Sequence, residues 1–132
     1  MLMQTNSYFV PAEKRTEHER IMRRFREILR RLGCDNFEVY ELNGSSFSAS
    51  DGAGRFLQVM KFRDRHHHHT VRDAERHDQQ AQDLIREFCD LVDYSYQHDQ
   101  GLATIHYYTP MSGSEGDPTN IPPGPSKPPA KP

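Results

Sequence analysis

The amino-acid sequence predicts an α+β domain with the ferredoxin-like order of strand, helix, strand, strand, helix, strand. Two segments repeat apolar residues at helical spacing, and four shorter segments are rich in β-branched and aromatic residues. Each helical segment stands between two strand segments, so the chain contains two strand–helix–strand crossovers. Because such crossovers place both helices on the same side, we expect a four-stranded antiparallel sheet with its helices on one face.

The first helix is predicted over residues 16–32. Thr16 and Glu19 match a capping box, in which each side chain accepts a hydrogen bond from a backbone N–H at the helix start. Gly33 is typical of a residue that ends a helix. Apolar residues recur on one face of this segment: Ile21, Met22, Phe25, Ile28, Leu29 and Leu32.

A second helical region is predicted from Asp64 to Val92. Asp78 falls inside it at a position suited to an N-cap, so we expect a kink there and two helices in series. Apolar side chains at helical spacing again give the region one buried face. They are Val71, Ala74, Ala81, Leu84, Ile85, Phe88 and Val92.

Strands are predicted over residues 1–10, 37–42, 55–62 and 102–108, and residues 43–54 are predicted to form a flexible turn. In the last two strands, large apolar side chains alternate onto both faces of the sheet. The helices cover one face, and the other face of an antiparallel sheet is normally polar where it meets water. We therefore expect the second face to contact a partner, of which a two-fold homodimer is the simplest.

Composition divides the chain near Pro110. Eight of the nine prolines lie at or beyond this residue. Such a segment buries too little apolar surface to offset the entropy of ordering it. We therefore predict a folded domain over residues 1–109 and a disordered, Pro-rich tail over residues 110–132.

The composition of the whole chain argues against several classes of function. A net charge of −2 does not favour nucleic-acid binding. A membrane span would need about eighteen consecutive apolar residues, and no such run occurs. A basic start followed by an apolar stretch, as in a secretory signal, is also absent from the sequence. With two cysteines, Cys34 and Cys89, we expect a cytoplasmic protein with free thiols and neither nucleic-acid nor membrane partners.

Three segments between residues 4 and 108 resemble antibiotic-biosynthesis monooxygenase-like proteins. They are Val10–Glu41, Arg55–Arg65 and Arg76–Ile85. The first contains a Gly-Cys-x-x-Phe-Glu-Val-Tyr run made by Gly33, Cys34, Phe37, Glu38, Val39 and Tyr40. The resemblance implies the dimeric α+β barrel superfamily, in which two ferredoxin-like sheets face one another.

That superfamily includes quinone-forming monooxygenases, haem-degrading enzymes, decarboxylases and stress proteins, so the resemblance does not specify one activity. Monooxygenases of this type usually carry an aromatic residue, often Trp, after the third strand and a histidine in the second helix. In this chain Phe62 and Val71 occupy those places. Haem-degrading relatives combine an Asn on the first strand, a Trp and a ligand His on the second helix. By the resemblance, Asn6 matches the Asn on the first strand and His77 matches the ligand His on the second helix. The sequence contains no Trp.

Polar residues on the first and last strands supply candidate catalytic groups. Asn6, Tyr8, His106 and Tyr108 lie on strands that should be neighbours, where they could bind a phenolic or quinone-like ligand or transfer a proton. A cofactor-independent monooxygenase would use Asn6, His77 and His106 as its catalytic residues. The alternative interpretation is ordinary pairing across a sheet and a dimer interface, where Tyr and His are common.

Four consecutive histidines begin at His66 in the second helical region. Consecutive residues on a helix point about 100° apart, so these four cannot share one metal ion. The candidate metal ligands are instead His66, His69, Asp73 and His77, which share one stripe if the helix is continuous. Imidazole and carboxylate groups bind Zn²⁺, Ni²⁺ or Cu²⁺. The alternative is a solvated polar helix face.

These observations predict a small dimeric α+β barrel protein that binds a small molecule or takes part in interactions, without a cofactor. Two alternatives stay open. One is a cofactor-independent monooxygenase or a haem-linked enzyme. The other is a protein that binds a divalent metal through the stripe from His66 to His77.

Overall fold

A computed structural model describes residues 1–44 and 54–111. Its helices and strands follow the predicted order, with one additional short helix before the last strand. The strands are β1 (Leu2–Phe9), β2 (Asn36–Glu41), β3 (Arg55–Phe62) and β4 (Thr104–Tyr108). The helices are α1 (Arg15–Arg31), α2 (Arg65–Arg76), α3 (Gln79–Val92) and α4 (Tyr94–Asp99), and a 3₁₀ turn covers Ala12–Lys14.

The four strands form one antiparallel sheet in the order β2-β3-β1-β4. In the middle of the sheet, Asn6 of β1 pairs with Gln58 of β3 on one side and with Ile105 of β4 on the other. Directly opposed residues point to the same face of a sheet, so these three side chains share the face that the helices cover. This arrangement confirms the predicted ferredoxin-like α+β fold.

The hydrophobic core lies between the sheet and the helices. Alternate residues of β1 and β3 point into it, among them Leu2, Tyr8, Phe56 and Phe62, all at most 8% exposed. The remaining residues of the strands point to the opposite side, which we call the open face. By strand register the open face consists of Met3, Thr5, Ser7, Phe9, Asn36, Glu38, Tyr40, Arg55, Leu57, Val59, Lys61, Thr104, His106 and Tyr108.

Helix α1 begins one residue earlier than predicted and without the expected capping box. The 3₁₀ turn after Pro11 leads directly into the helix, and the N-cap is Lys14, which makes no side-chain capping bond. Thr16 and Glu19 therefore lie inside the first turns of the helix. The predicted end is confirmed, because Gly33 adopts a positive φ of 105° that an L side chain rarely tolerates.

The predicted break at Asp78 is confirmed and separates α2 from α3. Asp78 is the N-cap of α3, and its carboxylate accepts a hydrogen bond from the backbone N–H of Ala81 at 2.9 Å. The same carboxylate accepts two hydrogen bonds from the Arg31 guanidinium, at 2.9 and 3.0 Å. The Arg31 guanidinium, together with the Ala81 N–H, lowers the pKa of Asp78. One residue thus starts α3 and ties it to α1.

Helix α4 was not expected from the sequence, and β4 begins at Thr104 instead of the predicted Leu102. The buried side chain of Gln97 accounts for both differences. Its amide accepts a hydrogen bond from the Phe9 N–H at 2.8 Å and donates to the Phe9 carbonyl at 2.8 Å. Pairing between β4 and β1 stops at Ser7, so Gln97 takes the place of a strand partner beside Phe9.

Two predicted features fall outside the residues that the structure describes. The turn over residues 43–54 is described only at its ends, and the Pro-rich tail over residues 110–132 only at its first two residues. Within residues 1–44 and 54–111, no helix is long and apolar enough to cross a membrane.

Candidate functional site

A cavity of about 180 Å³ lies between the sheet and the helices. The sheet forms its floor and all four helices contribute to its walls. The lining from the sheet consists of Gln4, Asn6, Phe37, Gln58, Met60 and Ile105. The lining from the helices consists of Phe25, Leu29, Arg72, Glu75, Ile85, Phe88, Cys89 and Tyr94.

Three buried amide side chains give the floor of this cavity its polar character. Gln4 and Asn6 are two residues apart on β1, so strand alternation places both on the helix-covered face. Gln58 lies beside Asn6 on β3. The three residues are 2%, 9% and 6% exposed, respectively. Buried amides need hydrogen-bond partners, and the partners of these residues define the site.

A chain of hydrogen bonds crosses the buried face of the sheet from α4 to α1. The Tyr94 hydroxyl donates to Asn6 Oδ1 at 2.8 Å, and Asn6 Nδ2 approaches Gln58 Oε1 at 3.4 Å. Gln58 Nε2 donates to the Tyr8 hydroxyl oxygen at 3.0 Å. The Tyr8 hydroxyl lies 2.6 Å from His18 Nε2. Each group therefore donates to the next, and the cavity is linked to the interior of α1.

Burial keeps the last two groups of this chain neutral. It raises the pKa of Tyr8, so the Tyr8 hydroxyl retains its proton. Burial and the nearby Arg15 guanidinium lower the pKa of His18 to about 4, while Glu19 opposes this effect. The imidazole of His18 is thus neutral at pH 7, and its Nε2 accepts the hydrogen bond from the Tyr8 hydroxyl.

The ionisable groups at the cavity wall are paired or neutral. Arg72 and Glu75 form an ion pair of 2.7 Å on α2, with side chains 28% and 12% exposed. Burial raises the pKa of the Cys89 thiol, and it also raises the pKa of the Tyr94 hydroxyl. Cys89 and Tyr94 therefore keep their protons at neutral pH.

The three candidate catalytic residues from the sequence do not meet at one site. Asn6 lines the cavity, as the catalytic hypothesis requires. His77 is instead the exposed C-cap of α2, where its Nδ1 donates to the Asp73 carbonyl at 2.9 Å. His106 pairs with Thr5 and lies on the open face, with its ring 6.3 Å from that of Tyr108. Tyr8 shares the helix-covered face with Asn6, whereas Tyr108 does not.

The candidate metal ligands are likewise not brought together. His66, His69 and Asp73 are exposed on α2, and the helix ends at Arg76, before His77. Among residues 1–44 and 54–111, no group of three or more His, Cys, Asp or Glu side chains is placed to hold a metal ion. The stripe that the spacing predicts faces solvent; Asp73 Oδ1 and His77 Nδ1 lie 3.8 Å apart, and among the described residues no third ligand joins them.

The two remaining histidines of the run have structural roles that spacing did not predict. His67 is buried, accepts a hydrogen bond from the Arg63 N–H at its Nδ1, and lies 2.7 Å from the Gly33 carbonyl through its Nε2. The His68 Nε2 lies 3.2 Å from Gln4 Oε1. His68 therefore connects α2 to the cavity floor.

The motifs in the sequence do not point to Gln4, Gln58, Tyr94 or His18. A signal for the first two exists in the strand alternation, since Gln4 lies two residues after Leu2 and Gln58 lies two residues from both Phe56 and Met60. His18 occupies an apolar position of α1, three residues before Ile21, so helical spacing also marks it. Tyr94 had no such signal, because its place depends on the fold around α4.

No protein-family model matches the chain. No curated protein matches it either. Solved structures do match. An uncharacterised NIPSNAP domain protein from Burkholderia xenovorans superposes with a TM-score of 0.64 at 13% identity, covering 87% of this chain and 99% of that one. A NIPSNAP family protein from Agrobacterium tumefaciens superposes with a TM-score of 0.61 at 13% identity. The match covers 86% of this chain and 88% of that one.

A third similar structure is a Deinococcus radiodurans protein whose name assigns it provisionally to the antibiotic biosynthesis monooxygenases. Its TM-score is 0.55 at 14% identity, and the match covers 87% of this chain and 97% of that one. Identities this low show the fold and leave the activity open. The chain thus has the same ferredoxin-like α+β fold as these solved structures.

Proposed function

We propose that the protein binds a compact, largely apolar organic molecule with a single ring in the cavity between its sheet and its helices. The observation that carries this proposal is the cavity lining, in which Phe, Leu, Ile and Met side chains surround a few buried amides. Ligand sites are typically concave and apolar, with a small number of polar groups that fix orientation.

The size of the cavity limits the ligand. An engineered apolar cavity of about 150 Å³ binds benzene, so a cavity of about 180 Å³ suits one substituted ring. A haem, with four pyrrole rings, is too large for this space. His77, the candidate haem ligand, also lies outside the lining, so the residues present do not fit a haem site.

The cavity supports binding better than catalysis. Its carboxylate, Glu75, is held by Arg72, and both Cys89 and Tyr94 keep their protons at neutral pH. An ion-paired carboxylate and two protonated groups make poor general bases or nucleophiles. The residues of the monooxygenase hypothesis, apart from Asn6, lie elsewhere.

A homodimer formed through the open face is part of this proposal. Tyr40 and Tyr108 of that face are 52% and 49% exposed, and the half-buried Leu57 pairs with Tyr40. A second copy of the same face would bury these apolar side chains. The cavity lies on the other side of the sheet, so each protomer would keep its own binding site.

Calorimetric titration of the full chain with ethylbenzene tests the proposed binding. We expect one ring to bind per chain, and we expect Cys89→Met to weaken binding about tenfold or more, because the larger side chain occupies the cavity. Arg86→Met is the matched control, since Arg86 is exposed on the same helix. Equal binding by the two variants, or no binding by the wild type, would contradict the proposal.

A further inference from the structure

Within residues 1–44 and 54–111, only the oxygen of the buried Gln4 amide has a hydrogen-bond partner. The side chain is 2% exposed and lines the cavity. Its Oε1 lies 3.2 Å from His68 Nε2, whereas its Nε2 has no hydrogen-bond acceptor among the described residues. A buried N–H without an acceptor is unfavourable, so this amide needs an acceptor that the described part of the chain does not supply.

His68 fixes the direction in which the Gln4 amide points. The imidazole is packed edge-on against Phe62 and Tyr107, with ring centroids 4.8 and 5.6 Å apart. Burial, followed by the charge of Arg72, lowers the pKa of His68. A carbonyl oxygen can only accept, so His68 must carry its proton on Nε2 and donate to Gln4 Oε1. The amide nitrogen of Gln4 is then left for the cavity.

Asn6 offers a second donor beside the first. Its Oδ1 already accepts from the Tyr94 hydroxyl, and among the described residues its Nδ2 makes only the long 3.4 Å contact with Gln58. Two residues along a strand correspond to about 7 Å, so the amides of Gln4 and Asn6 are neighbours on the floor. The amide oxygens of Gln4 and Asn6 both accept hydrogen bonds already, so the floor presents N–H donors to a molecule in the cavity.

We propose that the cavity selects single-ring molecules that carry a carbonyl oxygen, and that Gln4 recognises this oxygen through its amide N–H. This inference rests on the proposed binding function and specifies its ligand class. The ring would lie against the apolar walls, and its carbonyl oxygen would accept the hydrogen bond that Gln4 Nε2 lacks. His68 acts through Gln4 and is a positioning residue.

Acetophenone and ethylbenzene are suitable probes, because they have nearly the same shape and differ by one carbonyl oxygen. The measured quantity is the ratio of their dissociation constants for the full chain. We expect the wild type to bind acetophenone about tenfold more tightly, as one hydrogen bond to a buried donor would produce. Equal affinity for both probes would overturn this inference and leave the proposed binding function intact. Absence of binding by either probe would overturn both.

Substitution of Gln4 tests whether its amide determines the preference for acetophenone over ethylbenzene. Gln4→Met keeps the length of the side chain and removes the donor, so we expect acetophenone to bind about tenfold more weakly while ethylbenzene binds as before. Gln100→Met, at an exposed position, is the control and should keep the wild-type ratio. A Gln4→Met variant that retains the full preference for acetophenone would overturn the inference.

His68 provides an independent pair of variants if Gln4→Met does not fold. His68→Gln keeps an N–H donor near the position of Nε2, whereas His68→Phe keeps the ring packing and removes the donor. We expect the acetophenone preference to survive in the first variant and to fall in the second. A role of His68 in packing alone would leave the ratio unchanged in both, and that outcome would overturn the positioning role.

Discussion

The hydroxyl of Tyr8 lies 2.6 Å from Nε2 of His18, and both side chains are at most 2% exposed. This contact joins the centre of the sheet to α1 at the end of the hydrogen-bond chain that starts at Tyr94. The hydroxyl can donate only while His18 is neutral. The stability of the fold therefore depends on the protonation state of His18, which occupies a core position of α1.

The free energy of unfolding should fall as the pH drops from about 6.5 to 4. His18 has a pKa of about 4 in the folded chain and about 6.5 when unfolded, so between these values only the unfolded chain binds the proton. The stabilisation is complete above pH 6.5 and lost below pH 4. Each unit of difference between the folded and unfolded pKa corresponds to about 1.4 kcal/mol, so the free energy of unfolding falls by about 3 kcal/mol in total.

Urea denaturation of the wild type and of His18→Gln at pH 7.5 and pH 4.5 measures this effect. The variant should lose less stability on acidification, because glutamine does not titrate. His98→Gln, at an exposed position, is the control and should follow the wild type. The same pH dependence in all three proteins would show that His18 does not control it.

Replacing Gln97 should destabilise the protein by about 2–4 kcal/mol. Gln97→Met leaves the half-buried Phe9 N–H and the Phe9 and Val92 carbonyls without this partner, and each unsatisfied group costs about 1–3 kcal/mol. Gln100→Ala lies at an exposed position close to Gln97 and should change stability by less than about 0.5 kcal/mol. Similar losses in the two variants, measured by urea denaturation, would contradict the role of Gln97.

Asp78→Ala should destabilise the protein, since it removes both the N-cap of α3 and the partner of Arg31. Asp78→Asn retains a capping oxygen and should cost clearly less. Asp83→Ala, on an exposed side chain of the same helix, is the control. If chemical denaturation gave equal costs for Asp78→Ala and Asp83→Ala, the cap would contribute nothing.

Tyr108→Lys should dissociate the proposed dimer. Tyr108 is half exposed on the open face, so a charge there opposes burial against a second copy while leaving the core of the protomer unchanged. Tyr96→Lys is the matched control, because Tyr96 is equally exposed on α4. Sedimentation velocity at micromolar concentration should show a monomer for the first and a dimer for the second. A wild type that sediments as a monomer would contradict the dimer itself.

The sequence predicted the helix ends that are determined by a single residue or its immediate neighbours. The break at Asp78 and the end of α1 at Gly33 both follow from the chemistry of a single residue, and both are confirmed. The start of α1 shows the limit of such signals. Thr16 and Glu19 have the right spacing for a capping box, but the 3₁₀ turn after Pro11 already supplies the first turn.

Only the part of the site that lies on a single strand could be predicted from the sequence. Alternation on β1 places Asn6 and Gln4 on one face, but which face the helices cover depends on the whole sheet. The sequence does not decide whether His106 shares a face with Asn6, and the structure places it on the opposite face, since Asn6 pairs with Ile105. The histidine stripe had correct helical spacing, and yet its direction relative to the core placed it in solvent. Helix α4 depends on contacts between Gln97 and Phe9, 88 residues apart.

The isoleucine methyl groups give the most direct test of ligand binding in the cavity. Ile85 and Ile105 line it, whereas Ile21 is buried in the core outside the lining. In a methyl NMR titration of the full chain with ethylbenzene, the ring current should shift the signals of Ile85 and Ile105 and saturate at one ring per chain, while Ile21 stays unchanged. Shifts that are absent, or that are as large at Ile21 as at Ile85, would contradict a ligand site between the sheet and the helices.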